Sequence, residues 1–165
     1  MNIEGSCLCG NVRFSAVSPA PYPYRICYCR RCRKTGGGGG TGANIMAKNA
    51  SLVVEGREPL GTYVSASNPP GPGIPPVELE MNFCRTCGSQ LFIYSRSEGW
   101  SDWVYPWASA IDTDLPNPPD WYHINLGAKA SWVDAPVGSE HAHFIENTPE
   151  SIEKWHKDRG LWEES

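Results

Sequence analysis

The chain has 165 residues, enough for one domain with its own core yet few enough for metal staples to matter. Its 14 Lys and Arg against 18 Asp and Glu give a formal net charge of -4, which argues against broad binding to nucleic acid or to an acidic membrane. No run approaches the roughly eighteen apolar residues of a membrane span, Met1-Asn2-Ile3-Glu4 opens no basic-then-apolar leader, and the 7 cysteines are odd in number and tightly grouped, so reduced metal-binding thiolates in a soluble cytoplasmic protein are expected, not a secreted disulfide framework.

In chain order, the first cysteine group is Cys7-Leu-Cys9, followed by Gly10 and by a strand in which Val12, Phe14 and Ala16 share one face and Arg13 and Ser15 the other. The second is Cys27-Tyr-Cys29-Arg-Arg-Cys32, crowded by Arg25, Arg30, Arg31, Arg33 and Lys34. Behind it, Gly36 to Gly42 contains GxGxxG spacing by composition alone: it follows a cysteine knuckle instead of an apolar strand and no phosphate clamp comes after it, so no nucleotide fingerprint is read there. Such a run either brings backbone close to a ligand beside Cys32 or is a flexible loop. Leu52 to Val54 reads as a short strand, and Ser67 to Pro76 as an exposed loop, because proline has no amide to give a sheet.

Further on, Leu79, Met81 and Phe83 alternate with Glu78, Glu80 and Asn82 in a strand that runs into the third group, Cys84-Arg-Thr-Cys87, which Gly88 follows. Leu91 to Tyr94, Trp103 to Tyr105 and Tyr122 to Leu126 complete a set of short, mainly antiparallel strands. Trp100, Trp103 and Trp107 either wall a pocket or fill the core. His123 either approaches a metal or is a hydrogen-bonded structural histidine, whereas His141-Ala-His143 is expected at the surface. Thr148 as N-cap, Pro149 at the first helical position and Glu150 in the first turn predict a helix stopped by Gly160, with Ile152 and Trp155 facing inward.

The cysteines divide in more than one way. A ribbon could join Cys29 and Cys32 with Cys84 and Cys87. Glycine placement favours another division: a glycine after the second cysteine of a knuckle lets backbone amides turn toward the sulfurs, and Cys9 and Cys87 have one while Cys32 is followed by Arg33. Cys7, Cys9, Cys84 and Cys87 then form a closed structural zinc site. Cys27, Cys29 and Cys32 remain for a second zinc whose fourth position is open to chemistry, unless His123, His141 or His143 closes it. The cations around this trio would lower thiolate pKa values and draw in a carboxylate-bearing thiol, or else merely balance the sulfurs.

Three motifs carry a resemblance: Gly5-Ser-Cys-Leu-Cys-Gly-Asn-Val-Arg-Phe14, Cys27-Tyr-Cys-Arg-Arg-Cys-Arg-Lys-Thr-Gly36 and Phe83-Cys-Arg-Thr-Cys-Gly-Ser-Gln-Leu-Phe92. In order and spacing the chain resembles the glutathione-dependent formaldehyde-activating enzyme family, which includes centromere protein V. The likeness continues more weakly through Trp121 to Leu126 and Lys129 to Val133. It divides the chain into a zinc domain over residues 1–134 and an extension over residues 135–165 that packs on it.

The resemblance implies a mainly β, β-tent fold with zinc knuckles and a short C-terminal helix. It also implies two zinc ions per chain, with Cys7, Cys9, Cys84 and Cys87 structural and Cys27, Cys29 and Cys32 catalytic. The implied activity is that of a carbon–sulfur lyase handling a glutathione adduct of formaldehyde or another aldehyde, a detoxification. Tyr28 departs from the family, which usually has histidine there, so an acid–base role for that imidazole is absent or altered. The alternative is a non-catalytic zinc scaffold for a protein partner, as the likeness to centromere protein V allows, although that relative's basic arm is missing. A kinship with methionine sulfoxide reductase B, which shares the β-tent, leaves no spare cysteine as redox nucleophile.

Overall fold

The computed structural model describes residues 1–36, 39–66 and 77–164. The expected proline loop from Ser67 to Pro76, and Gly37 and Gly38 of the glycine run, lie outside the described residues. The architecture is mainly β, built from three sheets. Strands β1 (Asn2–Ser6), β2 (Arg13–Val17) and β6 (Val53–Glu55) form an antiparallel sheet in that order. A second antiparallel sheet has the order β5 (Ala47–Lys48), β10 (Trp103–Pro106), β9 (Gln90–Tyr94), β8 (Glu78–Cys84), β7 (Leu60–Ala66).

The third sheet departs from the antiparallel expectation. Its order is β12 (His141–His143), β11 (Trp121–Ile124), β3 (Arg25–Cys27), β4 (Gly42–Ala43), and β11 runs parallel to both β12 and β3. Hydrophobic alternation says which face a residue takes but nothing about strand direction, and parallel neighbours need the long connections found here.

Alternating faces build the core. Ile3, Phe14, Ala16, Leu79, Met81, Leu91 and Val104 are buried together, and Phe14 meets Phe92 edge to face with centroids 5.7 Å apart. The alternation expected in β8 fails at one place with a consequence for the site. A register shift between Asn82 and Phe83 turns Asn82 inward, leaves Phe83 half-exposed and sends the side chain of Cys84 into the interior. A bulge re-aims side chains in this way; Asn82, now buried, is held by Thr62 Oγ1, which donates to its Oδ1 at 2.9 Å.

A smaller cluster joins Ala20, Tyr24, Met46, Ile152 and Trp155. Trp155 sits on helix α2 (Ile152–Asp158) and stacks on Tyr24 with centroids 3.8 Å apart, while its Nε1 donates to Asp120 at 3.0 Å. Ile152 and Trp155 face inward as expected, and Gly160, at φ 67, follows the end of the helix. The N-cap is Ser151, which accepts from Lys154 N at 3.1 Å, and not Thr148. Thr148 accepts from Glu150 N at 3.2 Å in a turn before the helix. The three tryptophans share no wall: Trp107 is core, Trp103 packs on Trp162, and Trp100 lies partly exposed against Tyr105. Among the described residues no helix is long and apolar enough to cross a membrane.

Candidate metal centres

Two turns, one after β1 and one after β8, bring Cys7, Cys9, Cys84 and Cys87 together with all ligand atoms within 4.8 Å of one another. Each turn closes on its first cysteine: Gly10 N donates to Cys7 O at 2.9 Å and Gly88 N to Cys84 O at 2.8 Å. Both glycines have positive φ, 74 and 78, a conformation that a β-carbon disfavours. Val12 N then donates to Cys7 Sγ at 3.2 Å and Ser89 Oγ lies 3.3 Å from Cys87 Sγ. The ribbon pairing that would put Cys29 and Cys32 with Cys84 and Cys87 is not the one the chain adopts.

This donor set fits a zinc ion. Thiolates at about 2.3 Å from a tetrahedral metal lie about 3.8 Å apart, and the Cys7–Cys9 and Cys9–Cys84 sulfurs are 3.5 and 3.7 Å apart. Without a cation the four thiols could not all ionise. The Ser89 hydroxyl and amide bring Cys87 down to about 5, whereas Cys9, despite the favourable amide of Asn11, is pushed up to about 12 by desolvation and by Cys7, Cys87 and Cys84.

The second group is Cys27, Cys29 and Cys32, again with ligand atoms within 4.8 Å, and among the described residues no histidine or carboxylate joins it. Cys27 ends β3. Cys29 caps a short helix, α1 (Arg30–Thr35), that the sequence reading did not anticipate, and its sulfur accepts from Cys32 N at 3.5 Å. Cys32 lies in that helix, where Gly36 N closes the last turn on Cys32 O at 2.7 Å. Cys29 and Cys32 are buried, while Cys27 is half-buried.

Sulfur contacts from Cys27 and then Cys32, the Cys32 amide and the charge of Arg31 bring Cys29 down to about 2. Cys27 is raised, chiefly by Cys29, and Cys32 is raised, chiefly by Cys27. One thiolate is therefore favoured at the expense of its neighbours, a conflict that a bound cation removes. Of the other cations, Arg25 bears on Tyr24 and Tyr105.

Two neighbours on β11 and the turn after it hold this loop. Asn125 has φ 59, the one non-glycine residue at positive φ among those described, and its Nδ2 donates to Cys27 Sγ at 3.3 Å. Sequence reasoning missed that role; the available signal was an asparagine at a strand end, the residue type that best tolerates a left-handed backbone. His123 is almost fully buried at 2 % exposure, with Nδ1 2.9 Å from Tyr28 Oη and Nε2 3.0 Å from His141 Nδ1. Its nitrogens are thus taken by hydrogen bonds, the structural alternative. His143 is exposed as expected, but His141 is not a surface residue: its side chain is only 15 % exposed. From below, Trp107 covers Gly42 so closely that a β-carbon there would lie 2.3 Å from the indole, and 3.3 Å from Cys32 Cβ.

A cleft of about 600 Å³ runs from Cys7 and Leu8, past Ser89 and Gln90, to Thr35 and Gly36 at the end of α1. Cys7 and Cys87 of the four-cysteine group line it, whereas Cys27, Cys29 and Cys32 do not.

A family model described as "Glutathione-dependent formaldehyde-activating enzyme" matches residues 2–117. A protein of Halomonas elongata, provisionally named a glutathione-dependent formaldehyde-activating enzyme, is 42% identical over 166 residues, covering 99% of this chain and 99% of the relative. That alignment takes in the segment after Asp134, where the sequence alone carried no recognisable motif.

Proposed function

The chain belongs to the glutathione-dependent formaldehyde-activating enzyme family, and from that membership and its thiolate trio we propose that it is a zinc-dependent carbon–sulfur lyase acting on a glutathione-type adduct. In the synthetic direction a thiol adds to formaldehyde or another small aldehyde: a carbon–sulfur bond forms, the carbonyl π bond breaks, and the thiol proton ends on the new hydroxyl. Cys7, Cys9, Cys84 and Cys87 are the residues for a structural zinc, and Cys27, Cys29 and Cys32 those for a catalytic one. The observation that carries the reading is the trio of sulfurs with no fourth protein ligand among the described residues and with Cys27 half-open.

A zinc ion in that trio would supply an open position at which an incoming thiol gives up its proton near neutral pH. The protein's own part is positional and electrostatic. Asn125 and the Cys32 amide hold the thiolates of Cys27 and Cys29 in place, and the charge of Arg31 favours the Cys29 thiolate. The cleft beside Cys7 and Cys87 reaches the end of α1 at Thr35 and Gly36 and offers polar groups, Ser89 and Gln90 among them, to the body of a peptide-sized thiol, although none of the trio's sulfurs lines it. Residues 1–134 are read as the catalytic domain and residues 135–165 as an extension on it, supported by α2 stacked on Tyr24 and β12 beside β11. A glutathione-dependent aldehyde detoxification of this kind suits the cytoplasm, where that thiol is held reduced.

Elemental analysis of protein purified without chelators, paired with exchange NMR of glutathione and formaldehyde, tests the reading. Two zinc equivalents and a protein-dependent acceleration of adduct exchange are expected. Protein that holds both metals yet shows neither glutathione binding in calorimetry nor faster exchange would instead be the scaffold.

A further inference from the structure

Tyr28 lies between two of the trio's cysteines, and its phenol is buried at 2 % exposure. It starts an unbroken series of contacts that reaches the surface. Tyr28 Oη is 2.9 Å from His123 Nδ1, His123 Nε2 is 3.0 Å from His141 Nδ1, and His141 Nε2 is 3.3 Å from Glu140 Oε1. The groups come from remote parts of the chain: 95 residues separate Tyr28 from His123, and 18 separate His123 from His141. Parallel pairing makes the series possible, since β11 lies between β3 and β12 and sets His123 beside Ile26 on one side and His143 on the other.

We propose that Tyr28, His123 and His141, oriented at the outer end by Glu140, form a positioning chain that fixes the Cys27–Cys29 segment so that its sulfurs converge on one metal ion. The inference rests on the reading that Cys27, Cys29 and Cys32 bind metal. Its logic is directional. The Glu140 carboxylate lies 3.3 Å from His141 Nε2 as an ion-pair contact, which favours the neutral tautomer with its hydrogen on Nε2 and Nδ1 free to accept. His123 must then donate to it from Nε2, which leaves His123 Nδ1 to accept the phenol hydrogen. Each of the two hydrogen-bonded links, Tyr28 to His123 and His123 to His141, then has one donor and one acceptor. Burial, the largest cause, lowers His123 to about 4, which keeps that imidazole neutral as the series requires.

The main chain repeats the anchorage, since Tyr28 N donates to Ile124 O at 3.0 Å. Clamped at both backbone and side chain, Tyr28 leaves its two cysteine neighbours little freedom. The residues act through the sulfurs and touch no substrate. Outer-shell groups of this kind are worth roughly 10- to 100-fold in metal affinity.

The test uses the whole chain with both sites filled by zinc, and by cobalt for optical detection, with Cys29→Ser identifying which signal belongs to the trio. Long-range 15N imidazole spectra of the parent should show His123 and His141 protonated at Nε2. Tyr28→Phe should speed chelator-driven metal loss from the trio by about tenfold or more and leave the four-thiolate site unchanged. His141→Leu should do the same. His141→Asn, which keeps an acceptor near the Nδ1 position, should restore parent-like retention; His141 lies on an outer strand, so these variants keep the fold.

Parent-like release from both Tyr28→Phe and His141→Leu would overturn the inference, as would equal acceleration at both sites, which marks general loosening. A third metal equivalent lost in His141→Leu would make the histidines ligands and refute the hydrogen-bonded chain. A parent protein that binds metal only at the four-thiolate site would fail earlier, at the functional reading itself, and would take the inference with it.

Discussion

Replacing Asn125 separates two things that one residue does. Its backbone is left-handed, at φ 59 and ψ 37, a conformation that costs an ordinary L-residue about 1–2 kcal/mol but that asparagine and glycine visit readily. Its side chain donates to Cys27 Sγ at 3.3 Å, and a hydrogen bond to a charged group is worth about 1.5–3 kcal/mol. Asn125→Gly removes the side chain and suits the backbone. Asn125→Ala removes the same side chain and strains the backbone.

Both variants lose the same amide, so the difference between them reports the backbone alone. Glycine's extra unfolded-state freedom returns about 0.5–1 kcal/mol of the relief, and Asn125→Ala should therefore be less stable than Asn125→Gly by about 1 kcal/mol in urea titration. Zinc retention should rank the proteins differently. With about 1.4 kcal/mol per tenfold, losing the amide should weaken the trio's hold on metal about 10- to 100-fold in both variants, measured as release to a colorimetric chelator. Equal stability of the two variants would refute the backbone argument. Parent-like zinc release in both would refute the claim that Asn125 supports the Cys27 thiolate.

Other expectations concern the metal division, the extension and pH. Cys29→Ser should abolish adduct exchange and release one zinc with the fold kept, whereas Cys87→Ser should unfold or aggregate, because it opens a clasp between β1 and β8 worth on the order of 10 kcal/mol; equal folding damage in both would count against separate roles. Trp155→Ala removes a fully buried indole stacked on Tyr24 and should cost about 3–5 kcal/mol in urea, and a loss below about 1 kcal/mol would mean that α2 does not hold the smaller core cluster. Burial lowers His156, against its bond to Ile152 O, and lowers His123 to about 4. Both are bases with depressed folded-state values, so the unfolded chain takes up their protons first. Stability should be full above about 6.5 and fall toward pH 4, and His156→Gln should flatten the slope of the urea midpoint over that window. An unchanged slope would show that His156 is not held neutral.

What the sequence disclosed follows the range of the forces involved. Gly10 and Gly88 marked the four-cysteine set because a positive φ is a demand on one residue, readable wherever glycine follows a knuckle. The alternation in β2 was legible for the same reason. The bulge at Asn82 was not, since nothing local distinguishes a strand that slips by one residue from one that does not. Helix α1 was hidden because its residues are largely cationic and show no apolar period, and because the capping group is a thiolate acceptor, Cys29, in place of a hydroxyl. Thr148 and Ser151 are both competent caps; the docking of Trp155 on Tyr24 decides between them, and that contact joins parts of the chain far apart in sequence.

The same distinction separates the two sulfur groups. Each knuckle of the four-cysteine set closes through bonds to residues three to five positions away, such as Gly10 to Cys7, Gly88 to Cys84 and Val12 to Cys7, so it can be recognised in a short string. The trio has local closures too, Cys32 N on Cys29 Sγ and Gly36 N on Cys32 O, but it is held in addition from outside its own loop, by Asn125 on Cys27 across 98 residues, by His123 on Tyr28 across 95, and by Trp107 against Gly42. On the proposed reading the trio admits a ligand and so cannot use its last position to lock itself, and rigidity has to come from the surroundings. Remote anchors around an incomplete donor set are what that requirement predicts, and a loop carrying the same three cysteines without Asn125, His123 and Trp107 would be expected to bind metal weakly.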